Sequence, residues 1–272
     1  MTSNEILRVV VGSVAHGLND ENSDIDYKSV FVSPTSELLK LGGENYHGVS
    51  NIEGKIDDTS FEIGHFLNLA VKSNPSILEV FKAPIVCKHL NGAGSWHEGE
   101  LPIAGQKLRA LFSSAWSSVD VYNAFLGYSH DQRKKFFDDR EEFAKRRYKY
   151  AVAHLRVLLS GIELLTCNDF HVQVQDYYLG SGFGEKDGLH IHLPVWAVDE
   201  LAHNRASKEG FEESWKEYLL AIKRQEIQIV NIVDTAEYLK SELKKAYEKN
   251  PDKKTDLDKV NSFLLSVRKE NW

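Results

Sequence analysis

Short apolar runs separated by polar turns occupy the first third of the chain. Residues 7–12 (LRVVVG) form a β-branched run that ends at glycine, which is typical of a buried strand. Residues 24–32 (DIDYKSVFV) have the same character, and residues 57–73 begin as a strand and continue as a helix. Asn74 and Pro75 then favour a helix start, because asparagine caps a helix and proline fits its first turn. This pattern predicts a small region of mixed strands and helices.

From about residue 103 the apolar positions follow a helical period. Two stretches carry one apolar stripe each, residues 141–166 and residues 211–247. The stripes consist of Tyr148, Val152, Leu155, Leu159 and Ile162 in the first, and Trp215, Leu219, Ile222, Ile227, Val230, Val233 and Leu239 in the second. We therefore predict an α+β fold, with a small mixed β-sheet and its helices in residues 1–100 and a mostly helical domain in residues 101–272.

Composition narrows the class of protein. The 272 residues are 42% hydrophobic, enough for a substantial core, and carry a net charge of −7. A surface that followed duplex nucleic acid over its whole extent would be basic, so any such contact must be local. Cys87 and Cys167 are far apart, and no apolar run approaches the roughly 20 residues of a membrane span. We expect a cytoplasmic protein with no membrane partner.

Two aspartates and a Gly-Ser turn carry the chemistry of this region. Side chains alternate across a strand, so Asp24 and Asp26 point to the same face. Close carboxylates repel each other unless they are solvated or share a cation, and Mg²⁺ prefers a few carboxylates with phosphate oxygens and water. Gly12 lets the backbone approach a phosphate, and the Ser13 hydroxyl can donate to it. The combination indicates metal-assisted phosphoryl or nucleotidyl transfer, whereas the alternative is a pair of solvated aspartates at a strand end.

The stretch VVVGSVAHGLNDENSDIDYKSVFV, residues 9–32, resembles the signature of the DNA polymerase β-like nucleotidyltransferase superfamily. The match consists of Val11-Gly12-Ser13, a polar gap, and Asp24-Ile25-Asp26-Tyr27. Within the superfamily the chain is similar to the branch associated with RNA repair. That similarity is carried by residues 12–17 (GSVAHG) and by Asn-Pro followed by a glutamate-containing helix, and it extends over about residues 8–82.

The resemblance implies a two-part site. Gly12 and Ser13 would hold the triphosphate of a nucleoside triphosphate such as ATP, while Asp24 and Asp26 would bind Mg²⁺ or Mn²⁺. An acceptor hydroxyl would attack the α-phosphate and pyrophosphate would leave. The fold that it implies is a nucleotidyltransferase core followed by a helical domain that completes the nucleotide and acceptor site.

A third carboxylate is required by this resemblance, on a later strand and between hydrophobic residues. Glu62, in Phe61-Glu62-Ile63, fits that setting best, and Asp58 is the alternative because it shares a strand face with Glu62. The expected catalytic and metal-binding set is therefore Asp24, Asp26 and Glu62.

Other polar residues are candidates for contacts with the nucleotide. His16 lies in the loop after Ser13, and Lys28 shares the strand face of the aspartates. Lys149 and Arg156 fall on one face of a predicted helix, from which related enzymes contact the triphosphate. Each has an alternative role. His16 could be a structural histidine, Lys28 a charge partner for the aspartates, and Lys149 and Arg156 part of a solvated basic face. Glu79 is expected to be a buried hydrogen-bonding partner rather than a catalyst.

The acceptor is open at this point: an RNA 3′ end, a protein side chain or a small molecule. RNA repair is the first hypothesis that the resemblance favours. The basic stretch 133–149, with aromatic residues between its cations, is the best local candidate for a polynucleotide surface, and an ordinary charged helix is the alternative. Two other functions compete: a non-catalytic, antitoxin-like nucleotide-binding protein, and an enzyme that modifies proteins by AMPylation.

Overall fold

A computed structural model gives the architecture of the chain. It describes residues 4–21, 23–41, 48–53, 56–86, 101–174, 191–205 and 214–272. The contacts divide the chain into two compact units. The first comprises Met1–Ser117 with Lys254–Trp272, and the second comprises Ser118–Lys253.

The first unit contains a mixed β-sheet. Its strands are β1 (Asn4–Val11), β2 (Ile25–Val32), β3 (Gly48–Glu53) and β4 (Ile56–Glu62). They lie in the order β1-β2-β4-β3. The β1–β2 and β3–β4 pairs are antiparallel, whereas β2 and β4 are parallel neighbours. The predicted α+β fold, with a small mixed sheet and a helical C-terminal part, is confirmed.

Strand β1 is buried on both faces. Val9 and Val10 are 0% and 2% exposed although they point to opposite sides of the sheet. The outer edge of β1 is covered as well, because the Val10 N–H donates to the Pro84 carbonyl and Val9 forms a bridge with Ile85. Burial of both faces explains why residues 9–11, at the end of this strand, are all valines.

Helices cover the sheet of the first unit. They are α1 (Gly12–Ala15), α2 (Thr35–Leu38), α3 (Ile63–Ala70), α4 (Pro75–Lys82), α5 (Ile103–Ala110) and α12 (Leu257–Glu270). Helix α4 begins where the sequence predicts. The Asn74 side chain accepts hydrogen bonds from the N–H groups of Ser76 and Ile77, and Pro75 occupies the first position.

The division into units differs from the boundary expected at residues 100 and 101. Helices α5 and α12 belong to the unit that contains the sheet. Arg268 of α12 forms an ion pair with Glu62, and its carbonyl accepts a hydrogen bond from the Thr35 hydroxyl at 2.7 Å. These contacts join residues more than 200 positions apart, so the local pattern of apolar residues carries no sign of them.

The second unit is helical. Its helices are α6 (Ser118–Phe136), α7 (Glu141–Ala144), α8 (Arg147–Cys167), α9 (Val195–Arg205), α10 (Trp215–Lys223) and α11 (Ile229–Lys249). Helix α8 is long and apolar enough to cross a membrane, but 67% of its apolar window is buried inside the unit. Most of this helix therefore packs inside the protein.

Ser129 of α6 and His154 of α8 form a buried polar pair. The Ser129 Oγ lies 2.6 Å from Nδ1 of His154, and the two residues are 0% and 2% exposed. Burial lowers the pKa of His154 to about 4, and the nearby cations Lys240 and Arg133 act in the same direction. The hydrogen bond with Ser129 and the charge of Glu237 partly oppose this shift of the pKa. The imidazole is therefore neutral at pH 7.

His154 should make the protein less stable in acid. Between its ordinary pKa of 6.5 and its pKa of about 4 in the fold, the unfolded chain binds a proton that the folded chain does not. The free energy of unfolding therefore falls as the pH is lowered through this range, by about 3 kcal/mol from this group. Urea unfolding at pH 7 and pH 4 should show that difference between the wild type and His154→Asn. An equal loss of stability in both proteins would contradict it.

Candidate functional site

The turn after β1 brings Gly12 against Asp26. Val11, the last residue of β1, pairs with Asp26 of β2, and α1 begins at the next residue. Gly12 has φ +70°, and a Cβ built on it would lie 2.1 Å from Oδ2 of Asp26. Only glycine fits both the backbone conformation and this contact. The Gly-Ser turn and one aspartate of the predicted site are thus in direct contact.

Helix α1 holds the turn in shape. The N–H of His16 donates to the Gly12 carbonyl at 3.1 Å, and the N–H of Leu18 donates to the Ser13 carbonyl at 2.9 Å. The N–H groups in the first turn of a helix have no partner within the helix. Ser13 is half-buried at this end, so its hydroxyl and the backbone donors around it are positioned to meet an anion.

Three aspartates occupy the end of the sheet nearest this turn. Asp24 directly precedes β2 and is exposed, and Asp26 is half-buried. In the parallel pair, Asp26 is the register partner of Asp57, which is also exposed. Paired positions point to the same face of a sheet, so Asp57 shares the face of Asp26. Over the described ranges, the side chains of His, Cys, Asp and Glu do not converge in groups of three or more that could hold a metal ion.

Glu62 and Asp58 lie on the opposite face of β4, because side chains alternate from Asp57 onward. The carboxylate of Glu62, 3% exposed, accepts from the Arg268 guanidinium at 2.7 and 2.9 Å and from the Gly64 N–H at 2.7 Å. It caps α3 and binds α12. The structure thus places the Glu62 carboxylate in contacts with α3 and α12 on the face opposite Asp26, and its predicted role as the third carboxylate stays a prediction.

Asp58, the alternative third carboxylate, has an ion pair of its own. Its Oδ2 lies 2.6 Å from the Arg8 guanidinium, which also stacks over the Tyr27 ring at 4.9 Å. The register therefore leaves Asp57 as the β4 carboxylate beside Asp26. The signal available in the sequence was the doublet Asp57-Asp58, in which only the strand register decides which member faces the turn.

His16 and Lys28 both contact α4. The Nε2 of His16 lies 2.7 Å from Oε1 of Glu79, and both residues are buried. The ammonium group of Lys28 donates to the carbonyl of Ser76 at 3.0 Å and to its hydroxyl. Glu79 is thus the buried partner that the sequence predicts. The nucleotide contacts predicted for His16 and Lys28 are untested, and the structure gives each side chain a protein partner.

Lys149 and Arg156 belong to α8 of the second unit, where Lys149 is exposed and Arg156 is half-buried. Their predicted contact with the triphosphate stays a prediction.

The basic stretch 133–149 also lies in the second unit. Arg133 stacks over the ring of Phe137 at 5.5 Å, and Arg140 stacks over the ring of Phe143 at 4.6 Å. Phe137 is 47% exposed. Part of the stretch is neutralised internally, as in the Lys145–Glu141 pair at 2.6 Å. The stretch therefore combines one exposed and two half-buried aromatic rings with cations, a composition also found in single-strand binding surfaces. It also has the ion pairs of an ordinary charged helix.

Comparison with known proteins identifies a family. A family model described as the RNA repair pathway DNA polymerase beta family matches residues 3–178. Among solved structures, the chain is similar to a nucleotidyltransferase-like protein from Exiguobacterium sibiricum 255-15, with 8% sequence identity over 98% of this chain and 74% of that chain. The TM-score of that match is 0.25, too low to support an argument about the site. No curated protein matches the chain.

Proposed function

Since the chain belongs to the RNA repair pathway DNA polymerase beta family, we propose that it transfers a nucleoside monophosphate from a nucleoside triphosphate to an acceptor hydroxyl. The observation that carries this proposal is the contact between Gly12 and Asp26, where a Cβ would lie 2.1 Å from Oδ2. A turn whose first N–H groups have no partner within the helix, directly beside a carboxylate, can bind a phosphate and a cation next to each other. That is the arrangement that nucleotidyl transfer requires.

Asp24, Asp26 and Asp57 are the residues that would hold Mg²⁺ or Mn²⁺. Carboxylate oxygens are the ligands that such hard cations prefer, and Asp26 and Asp57 share one face of the sheet. Asp24 and Asp57 are exposed, so their side chains can change rotamer to reach an ion. When bound, the metal neutralises charge on the phosphate oxygens.

The residues of the turn would bind and orient the triphosphate. The Ser13 hydroxyl and the first N–H groups of α1 would donate to its oxygens, while Gly12 allows the backbone to come close. The acceptor oxygen attacks the α-phosphorus, the bond from that phosphorus to the bridging oxygen breaks, and pyrophosphate leaves. The aspartates nearest the acceptor would take the proton of its hydroxyl.

An RNA 3′ end is the acceptor that we favour. The description of the family names an RNA repair pathway. In addition, residues 133–149 contain eight basic and four acidic residues, a local charge of +4 in a chain of net charge −7. The exposed ring of Phe137 in the same stretch can stack on an unpaired base. We place this activity in the cytoplasm, where RNA ends are available.

Transfer of label tests the proposal. The protein is incubated with each α-labelled nucleoside triphosphate, Mg²⁺ or Mn²⁺, and separate pools of RNA and cell protein. The wild type should label RNA, and Asp26→Asn and Asp57→Asn should abolish that label. Asp58→Asn is the matched control, because it removes the neighbouring carboxylate from the opposite face and should retain transfer.

Each other outcome of this experiment has a definite meaning. Label in the protein pool would show that the acceptor is a protein and not RNA, which corresponds to AMPylation. Nucleotide binding without transfer to any acceptor would support the non-catalytic, antitoxin-like alternative and overturn the proposed activity. Loss of transfer in Asp58→Asn but not in Asp57→Asn would overturn the assignment of Asp57.

A further inference from the structure

We propose that Glu79 is a positioning residue that acts through His16 to hold the Gly-Ser turn against Asp26. The inference rests on the proposed function. It also assigns Lys28 a positioning role, in which its side chain holds strand β2 against helix α4 instead of binding the nucleotide. Helix α4 is the element that connects these contacts.

The first contact is the pair His16–Glu79. The imidazole Nε2 and the carboxylate Oε1 are 2.7 Å apart, and the residues are 8% and 6% exposed. Leu78 and Val80, the chain neighbours of Glu79 in α4, are fully buried. A carboxylate in such surroundings is costly unless it is paired, so the position of Glu79 depends on its partner.

The second step runs from His16 to the turn. His16 directly follows α1 as its C-terminal cap, and its N–H donates to the Gly12 carbonyl at 3.1 Å. Anchoring the His16 side chain on α4 therefore also anchors the backbone of Gly12. Because Gly12 contacts the Asp26 carboxylate directly, a shift of His16 changes the distance between the turn and that carboxylate.

The third contact connects strand β2 to helix α4 through Lys28. Lys28 lies two positions after Asp26 on the same face of β2, and its ammonium group donates to the carbonyl and the hydroxyl of Ser76 at the start of α4. Ser76 and Glu79 are three residues apart and lie on one side of the helix. Helix α4 thus fixes the strand through Ser76 and the turn through Glu79.

The three contacts together connect β2 to α4, α4 to α1, and α1 back to β2. The turn and the strand that carry the proposed phosphate and metal ligands are both tied to one rigid helix. A displacement of about 1 Å between reacting groups can cost about 100-fold in rate. Loss of the His16–Glu79 contact should therefore lower kcat strongly, with a smaller effect on the KM for the nucleotide.

Glu79→Ala and Glu79→Gln test the role of this residue in steady-state transfer by the full chain. We expect kcat to fall about 100-fold in E79A, and to stay within about 10-fold of the wild type in E79Q, whose amide oxygen still accepts from Nε2. The matched control is Glu163→Ala. Glu163 is another buried carboxylate paired with a histidine, with Oε1 2.5 Å from Nδ1 of His171, but it lies in the second unit.

Thermal unfolding of each variant separates positioning from stability. Equal kcat per folded molecule in E79A and E163A would overturn the inference, even if both variants are less stable. If E79A does not fold, His16→Asn carries the test, and a wild-type kcat in H16N overturns it. A wild type that transfers no nucleotide overturns the proposed function itself, whereas an active wild type beside an equally active E79A overturns only the role of Glu79.

Discussion

Gly12→Ala is expected to lower the rate of nucleotidyl transfer by at least about 100-fold while the protein remains folded. The new Cβ would lie 2.1 Å from Oδ2 of Asp26, so either the turn or the carboxylate must move. The backbone at φ +70° adds strain of about 1–2 kcal/mol for any residue with a side chain. Both effects separate the turn from the aspartate on which the proposed activity depends.

Steady-state transfer and thermal unfolding of this variant provide the measurement. Gly127→Ala is the matched control, because a Cβ at Gly127 meets nothing within 4 Å and alanine is the better helix former in α6. The control should keep its activity and gain about 0.5–1 kcal/mol of stability. Wild-type activity in Gly12→Ala would show that close contact between the turn and Asp26 is not needed.

Arg268→Met is expected to reduce the free energy of unfolding by about 3–5 kcal/mol. The Glu62 side chain, only 4% exposed, would lose its oppositely charged partner, and the link between α12 and β4 would be lost. The double variant Glu62→Gln/Arg268→Met should recover part of this loss, since it removes the buried charge as well. Molecules of either variant that remain folded should transfer nucleotide, because Glu62 faces away from Asp26.

Urea unfolding of the two variants and of Lys145→Met measures this difference. Lys145 forms an exposed ion pair with Glu141, in which both side chains are more than 70% exposed, so its loss should change stability by less than about 1 kcal/mol. Similar losses in Arg268→Met and Lys145→Met would contradict the importance of the buried pair. Loss of transfer in a well-folded Glu62→Gln/Arg268→Met variant would indicate that Glu62 is a catalytic residue.

Local features of the site were readable from the sequence. The apolar run of β1, the glycine at its end and the two aspartates of β2 are defined by neighbours along the chain, and the structure brings Gly12 to Asp26. The start of α4 at Asn74 and Pro75 was also readable, because capping depends on residues within one helical turn.

The β4 carboxylate that shares the face of Asp26 could not be identified in the same way. The choice among Asp57, Asp58 and Glu62 depends on the register of two parallel strands, and a shift of one residue moves every side chain to the other face. Glu62 lies on a strand between hydrophobic neighbours, as the sequence predicts, and the fold also buries it. Its partner, Arg268, is 206 residues away, and nothing near Glu62 in the sequence indicates it.

His16 and Lys28 show a second limit of local reasoning. Both follow the site motif closely, so contact with the nucleotide was a natural prediction. In the fold their polar ends are directed to Glu79 and Ser76, residues of a helix that begins more than 45 positions later. A polar residue near a motif can support the site or form it, and only the tertiary structure separates the two.

The division of the chain also has a consequence for biosynthesis. The second unit is an insertion into the first, and its two ends meet where the Ser118 N–H donates to the Lys253 carbonyl at 3.0 Å. During translation, all residues of the second unit leave the ribosome before α12 does. The inserted unit can therefore fold first. The unit that carries the aspartates is complete only when Arg268 has been synthesised and pairs with Glu62. Until that helix arrives, the nascent chain has the motif of the site without the buried ion pair that stabilises its framework.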